Sequence, residues 1–220
     1  TESAWFKTTT TNGGKILGFE MPQTDVAMPG SGGTYDRHIY MDGAGKVWFG
    51  VYNGAYFTIS SPAALNNGAW HMAVATMGTG GMALWIDGLK VGTNANTTGE
   101  TTTGWFRAGC GNLGGWGGSW TGGNNPTTST SPTQNRPFAG SLDEISIWQS
   151  VLTAAQIRTE PSITGDVSDT ALVHTSFGGQ LDFTDLAADV YWMRAVVHYG
   201  SERRAPDVRS EERRVGKECL

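Results

Sequence analysis

The stretch Asn67 to Gly92, NGAWHMAVATMGTGGMALWIDGLKVG, decides the fold class. From Trp70 it alternates, with Trp70, Met72, Val74 and Thr76 on one face and His71, Ala73, Ala75 and Met77 on the other, the period of two that a strand requires. A glycine-rich turn at Gly78 to Gly81 separates this strand from Met82 to Ile86. Asp87-Gly88 then supplies the positive-φ pair of a two-residue hairpin before a third strand. Strands joined this tightly form an antiparallel meander.

The same grammar extends in both directions. Strands are predicted at 3–10, 15–20, 36–42, 46–52, 55–60, 69–77, 82–87, 89–92, 103–108 and 138–148, with turn signals at Asn12-Gly13, Asp42-Gly43, Asn53-Gly54 and Asp87-Gly88. So many hairpins without a long amphipathic helix imply two antiparallel sheets packed face to face. The one convincing helix is Leu152 to Arg158, opened by Thr153-Ala154-Ala155-Gln156 and closed by Pro161. At 220 residues the chain buries enough surface to stand without cross-links, and its two cysteines do not make a disulfide framework. Only 16% of residues are charged, so Thr, Ser and Asn must dress the surface. A net charge of −5 and the lack of a basic stripe in the globular part argue against nucleic acid as a partner. No apolar run approaches the ~18 residues of a membrane span.

Several blocks, in order, carry a family resemblance. Asn67-Gly68 with Trp70-His71, then Leu84-Trp-Ile-Asp-Gly-Leu-Lys-Val-Gly92, resemble laminin-G-like domains of the concanavalin A-like lectin and glucanase superfamily. Phe138 to Trp148 (FAGSLDEISIW), followed by Leu152-Thr153 and Ile157, is similar to the closing strand and short helix of those domains and of pentraxins. Ala4 to Thr8, Gly13 to Phe19, Arg37 to Asp42 and Val47 to Val51 fit the same pattern, so the resemblance covers roughly residues 3 to 160. It implies an all-β jelly-roll sandwich over 1–160, truncated at its N-terminal side, and a secreted or cell-surface setting within a larger multimodular protein. Residues 161–208 change character. Gln180 to Leu186 and Val190 to Gly200 resemble later strands of a fibronectin type III-like module, which makes this a partial β segment, with a helix over Ala187 to Val197 as the alternative.

Ser210 to Cys219, SEERRVGKEC, reads as the translation of a string that resembles a common sequencing adapter, so 209–220 is expected to be an artefact tail. On that reading Cys110 is a lone thiol.

A glucanase of this superfamily requires two carboxylates flanking one glycosidic bond, and the resemblance implies a Glu-x-Asp-x-Glu arrangement for them. No Glu-x-Asp occurs in the chain, and the neighbours Asp143 and Glu144 leave a strand on opposite faces. No catalytic residue is therefore expected. Asp143 shares parity with Ile145 and Ile147, which points it inward, with His71 as its expected hydrogen-bond partner.

The binding candidate is Gly109 to Pro137, GCGNLGGWGGSWTGGNNPTTSTSPTQNRP, because loops this long are usually functional or disordered. Trp116 and Trp120 offer apolar plates for sugar rings, and Asn112, Asn124, Asn125 and Arg136 are the hydrogen-bonding neighbours. Burying roughly 50 Å² on one indole gives only about 1 kcal/mol, so two plates and several hydrogen bonds are needed for millimolar affinity. The competing reading has Trp116 folding back onto the sandwich. The resemblance also raises calcium, for which Asp25 and Asp36 are the candidate ligands, since the long loop has no acidic residue. Asn96-Thr97-Thr98 is a glycosylation sequon with meaning only in a eukaryotic secretory context. The expected role is non-catalytic binding of carbohydrate or of an extracellular protein. A structural spacer and a glycoside hydrolase of the glucanase class are the alternatives.

Overall fold

The structure is a computed structural model. It describes residues 1–21, 35–101, 104–120 and 136–159, and three short strands further on. The strands are β1 (Glu2–Lys7), β2 (Gly14–Glu20), β3 (Tyr35–Met41), β4 (Val47–Tyr52), β5 (Tyr56–Ser60), β6 (Trp70–Gly78), β7 (Gly81–Ile86), β8 (Leu89–Asn94), β9 (Trp105–Ala108) and β10 (Ser141–Ile147), with one helix, α1 (Ala154–Thr159). β11 (Val173–Thr175), β12 (Leu181–Asp182) and β13 (Tyr191–Trp192) complete the set. One sheet runs β11-β10-β1-β6-β7-β8, with β12 also on β10, and the other β13-β9-β2-β3-β4-β5. All their pairings are antiparallel, the arrangement of a jelly-roll sandwich. Within residues 161–208, expected to be a partial β segment, β11 and β12 pair with the first sheet and β13 with the second.

The opening meander forms as its alternation requires. Asp87 and Gly88 have φ of 51° and 76°, the left-handed pair of a tight hairpin. Inward residues of both sheets, among them Phe6, Leu17, Ile39, Phe49, Ala75, Leu84 and Leu142, make the central core. At roughly 1.5 to 3 kcal/mol for each large side chain buried, this layer is the main source of stability.

Each sheet also has its outer face covered, by different means. The first sheet carries Met72, Val74, Trp85 and Trp148, and α1 closes over them with Leu152 and Ile157. Thr153 caps that helix, its hydroxyl accepting from Gln156 N–H (3.3 Å) while Gln156 Oε1 accepts from Thr153 N–H (2.9 Å). On the second sheet the cover is the loop after β9, described below.

Two sequence expectations are overturned here. Glu144 has φ 45° and sits in an irregular stretch of β10, where pairing with β1 shifts register between Ser3 and Trp5. That break removes the strict alternation on which Asp143's inward reading rested. Asp143 is half-buried and accepts from Glu144 N–H, while His71 bonds Asp87 Oδ2 at 2.8 Å and Asn67 Oδ1 at 3.1 Å. Cys110, expected as a lone thiol, is buried and disulfide-bonded.

Glu2 breaks the core's apolar rule. It shares inward parity with Ala4 and Phe6, is 5% exposed, and neither carboxyl oxygen has a hydrogen-bond partner among the described residues. Burial pushes its carboxyl up to about 8, so the fold holds it neutral at pH 7. In the unfolded chain it ionises at the ordinary glutamate value, so its contribution is complete below about pH 4, declines as pH rises toward 8, and is lost above that. Glu2→Gln is expected to be the more stable chain at pH 9, by on the order of 4 kcal/mol, with the gap closing toward pH 4. Urea unfolding of both chains across that range measures it; parallel stability curves would contradict the buried, neutral carboxyl.

Candidate functional site

The outward residues of the second sheet are not the solvent-facing set expected of a sandwich. Along β3 they are His38 and Tyr40, both at 0% exposure, and Trp48, Gly50 and Tyr52 follow along β4. β2 contributes Lys15 and Glu20, and β9 contributes Arg107. Something must cover them, and it is the chain from Gly109 to Trp120.

Charge seats one end of this cover. Glu20 Oε1 lies 2.6 Å from Lys15 Nζ and accepts the Asn112 N–H at 2.8 Å, while Glu20 Oε2 lies 3.2 Å from Arg107 Nη1. None of the three ionic side chains is more than 1% exposed, so each depends on the others for the solvation it has lost. Burial lowers the Lys15 ammonium from its ordinary range, with Glu20 opposing, and burial beside Lys15 and Arg37 holds His38 well below its usual value, so His38 is neutral.

The other end is seated by Asp42. Its Oδ1 accepts from the N–H groups of Ala44 and Lys46, and its Oδ2 from Trp48 Nε1 (3.1 Å) and Ser119 N–H (3.0 Å). Gly43 N–H returns a bond to Ser119 O, and the Tyr40 hydroxyl donates to Gly117 O at 2.8 Å. Between these anchors Trp116 drops onto Gly50, where a Cβ would lie 2.3 Å from the indole, so β4 has no room for a side chain at that point. The indole meets His38, Tyr40 and Tyr56 edge-on, at centroid distances of 4.8, 6.3 and 5.0 Å. Burial raises the Tyr40 hydroxyl well above its normal range, keeping it a donor.

At the rim of this cover the aromatic layer reaches the surface. Trp48 and Trp120 are half-buried and lie nearly parallel to the buried Tyr40 between them, at 12° and 14° and 6.1 Å each. Tyr56 is 45% exposed and packs on Tyr52. The Arg136 guanidinium lies 5.1 Å from the Trp120 ring centroid, a cation–π contact. Its backbone is fixed from both sides, the N–H donating to Gly111 O and the carbonyl accepting from Lys15 N–H. Half-buried indoles and an exposed phenol, backed by the buried Arg136, form a surface able to take a sugar ring by its apolar face.

The residues proposed from sequence divide accordingly. Trp120 and Arg136 come together at the rim. Trp116 does not join them: at 0% exposure it is an internal wedge with no face left for a ligand, as the competing reading had it. Asn112 is buried too, its Oδ1 accepting from Gly114 N–H at 2.6 Å, so it shapes the loop instead of meeting a ligand. Asn124, Asn125 and Asp25 lie outside the described residues. Asp36 is committed to the fold: Oδ1 accepts from Tyr52 N–H at 2.6 Å, and Oδ2 faces Glu100 N–H and the Arg37 guanidinium. Burial raises its carboxyl from the usual range. Among the described residues no group of three His, Cys, Asp or Glu is placed to hold a metal. Trp48, Tyr52 and Tyr56 were missed. Their signal was the aromatic run on outward positions of β4 and β5, which marks a covered face.

The fold has known counterparts. A profile of the concanavalin A-like lectin/glucanases superfamily, Laminin_G_3, matches residues 1–158, and the chain belongs to that superfamily. Among solved structures it is similar to the heptameric SAP-like pentraxin of Limulus polyphemus, at a TM-score of 0.50 and 18% identity over 82% of this chain and 80% of that one. A putative carbohydrate binding protein of Bacteroides ovatus follows at 0.49 and 13%, over 80% of this chain and 44% of that one. The CBM40 of Ruminococcus gnavus IT-sialidase, bound to alpha2,3 sialyllactose, follows at 0.49 and 18%, over 74% and 81%. A comparison with curated proteins found no match.

Trp116→Ala is expected to act on stability, costing about 3 to 5 kcal/mol as an emptied core aromatic does. Denaturant unfolding followed by circular dichroism measures it. An unchanged midpoint would mean that the indole does not fill the slot over Gly50.

Proposed function

We propose that this domain is a non-catalytic carbohydrate-binding module and that its site is the rim formed by Trp48, Tyr56, Trp120 and Arg136. The observation that carries the reading is the pair of half-exposed indoles flanking buried Tyr40, set on a rigid sheet and on a loop pinned at both ends. Fixed plates cost little to order when a ligand arrives, which is what a weak, shape-based binder needs. Membership of a superfamily described by its lectins supports the ligand class.

Absence of turnover belongs to the same proposal. Hydrolysis needs two free carboxyl groups facing one bond. On the described part of this face Glu20 and Asp42 are buried and spend their oxygens on internal donors, as does Asp36 at its edge. Asp143 and Glu144 stand on the opposite sheet. The family resemblance further supports a secreted or cell-surface location within a multimodular protein. Among the described residues no helix is long and apolar enough to cross a membrane.

The reading predicts retention of the chain on at least one polysaccharide in affinity electrophoresis. Trp48→Ala and Trp120→Ala should each weaken that retention about fivefold, for roughly 1 kcal/mol of lost contact. Trp70→Ala, on the other sheet beneath Lys7, serves as the control and should bind normally. Retention that both rim variants keep in full would move the site elsewhere, and failure on every glycan would remove the function.

A further inference from the structure

Asn-Gly occurs three times in the chain, at Asn12-Gly13, Asn53-Gly54 and Asn67-Gly68. Each step carries the same latent chemistry. The glycine amide nitrogen, once deprotonated, attacks the asparagine Cγ; a C–N bond forms, ammonia leaves, and water opens the resulting cyclic imide to aspartate or isoaspartate. Glycine permits the attack because it has no Cβ to block the approach. Locally the three steps are equivalent, and the fold makes them different.

At Asn67-Gly68 both partners in the reaction are occupied. Gly68 N–H donates to Thr8 O at 2.9 Å, while Asn67 Oδ1 accepts from Ala69 N–H at 2.9 Å and lies 3.1 Å from His71 Nε2. At Asn12-Gly13 the glycine is buried, and the backbone of Met41 and Asp42 takes the space over its Cα. Part of the fold must open before either step can react.

Asn53-Gly54 has neither restraint. It belongs to the turn Asn53-Gly54-Ala55 between β4 and β5, whose residues are all exposed. Asn53 N–H donates to Ala55 O, whereas Gly54 N–H has no partner among the described residues. Gly54 has φ 74°, and nothing in the described fold lies within 4 Å of where its Cβ would stand. One contact holds the asparagine amide, from Nδ2 to Thr98 Oγ1 at 2.7 Å, and it is exposed. A single neutral hydrogen bond open to water is a weak tether.

We propose that Asn53 is a modification site, at which the chain deamidates itself with water as the only co-reactant, and that the fold directs the reaction to this turn ahead of the other two. The product adds a negative charge, and in its isoaspartyl form an extra main-chain carbon, to the hairpin that presents Tyr52 and Tyr56. Asn53 reacts in this way whether or not the rim binds a sugar.

The test incubates the full folded chain in mildly alkaline buffer, where the glycine amide ionises more readily, and follows the three Asn-Gly peptides by mass spectrometry, with an isoaspartyl methyltransferase assay on the same digest. Asn53 is expected to convert about tenfold faster than Asn12 or Asn67, the rate equivalent of a hydrogen bond that must open first. In urea the three rates should converge. Thr98→Val, which removes the tether, should speed conversion of Asn53, and Gly54→Ala should slow it by hindering the approach to Cγ. Circular dichroism establishes that the variants are folded, and the comparison of the three sites within the unsubstituted chain is decisive without them. Equal rates at the three sites in the folded chain, earlier conversion at Asn12 or Asn67, or an Asn53 that keeps its amide while the urea-unfolded chain loses it would each overturn the inference.

Discussion

Glu20 is the constraint on which the second sheet depends. It lies with Lys15 and Arg107 where water does not reach, and it answers both cations and the Asn112 amide at once. Take the carboxylate away and two buried cations face each other with nothing between them, a change that costs about 3 to 5 kcal/mol in comparable cases. The loss would not stay local. Asn112 begins the segment that carries Trp116, and without its anchor the indole has no fixed entry into the slot over Gly50. The surface positions of Trp120 and Arg136 are set by the same segment, so the geometry of the rim is inherited from a salt-bridge triad that no ligand contacts.

How much of this was legible in the sequence varied by element, for physical reasons. Alternation gave most strands to within a residue or two, because a half-buried strand writes its two faces directly into its pattern; β6, expected at 69–77, spans Trp70–Gly78, whereas β1, expected at 3–10, spans Glu2–Lys7 and β10, expected at 138–148, spans Ser141–Ile147. The Thr153 and Gln156 cap was readable because it is local. The roles of Trp116 and Trp120 were not. Both follow glycine-rich steps in one loop, and what separates them is Gly50 on another strand, whose missing side chain admits one indole and leaves the other at the rim. A contact between segments so far apart leaves no trace in the loop itself. Asp143 failed differently, since parity arguments assume an unbroken ladder and the left-handed Glu144 breaks it.

One signal was present and passed over. Outward positions of an exposed sheet should be polar, yet β3 and β4 place His38, Tyr40, Trp48 and Tyr52 there. Aromatic residues on the face opposite the core imply a second layer above them, and the glycine-rich loop after β9 is a long segment able to supply it. Combined, those two observations would have put the loop on this sheet before any coordinates, and would have predicted that part of its tryptophan content is structural.

The two covers also differ in a way that bears on function. Over the first sheet, α1 is held by apolar contact among Trp85, Trp148, Leu152 and Ile157, and such a cover seals the surface beneath it. Over the second, Leu113 and Trp116 pack on Tyr40, but the ends of the cover are held by carboxylates accepting backbone N–H groups and by a tyrosine hydroxyl reaching a carbonyl. Directional bonds fix a chain at points and need no continuous apolar seam, so aromatic edges can remain open to water between the anchors. Glycine makes this possible at Gly115 and Gly118, whose φ values of 82° and 132° let the backbone lie close to Tyr56 and Asp42. A loop built in this way is rigid without being sealed. Rigidity lets half-buried indoles wait in place for a ligand, and it is why the polar-anchored face, and not the apolar one, carries the candidate site.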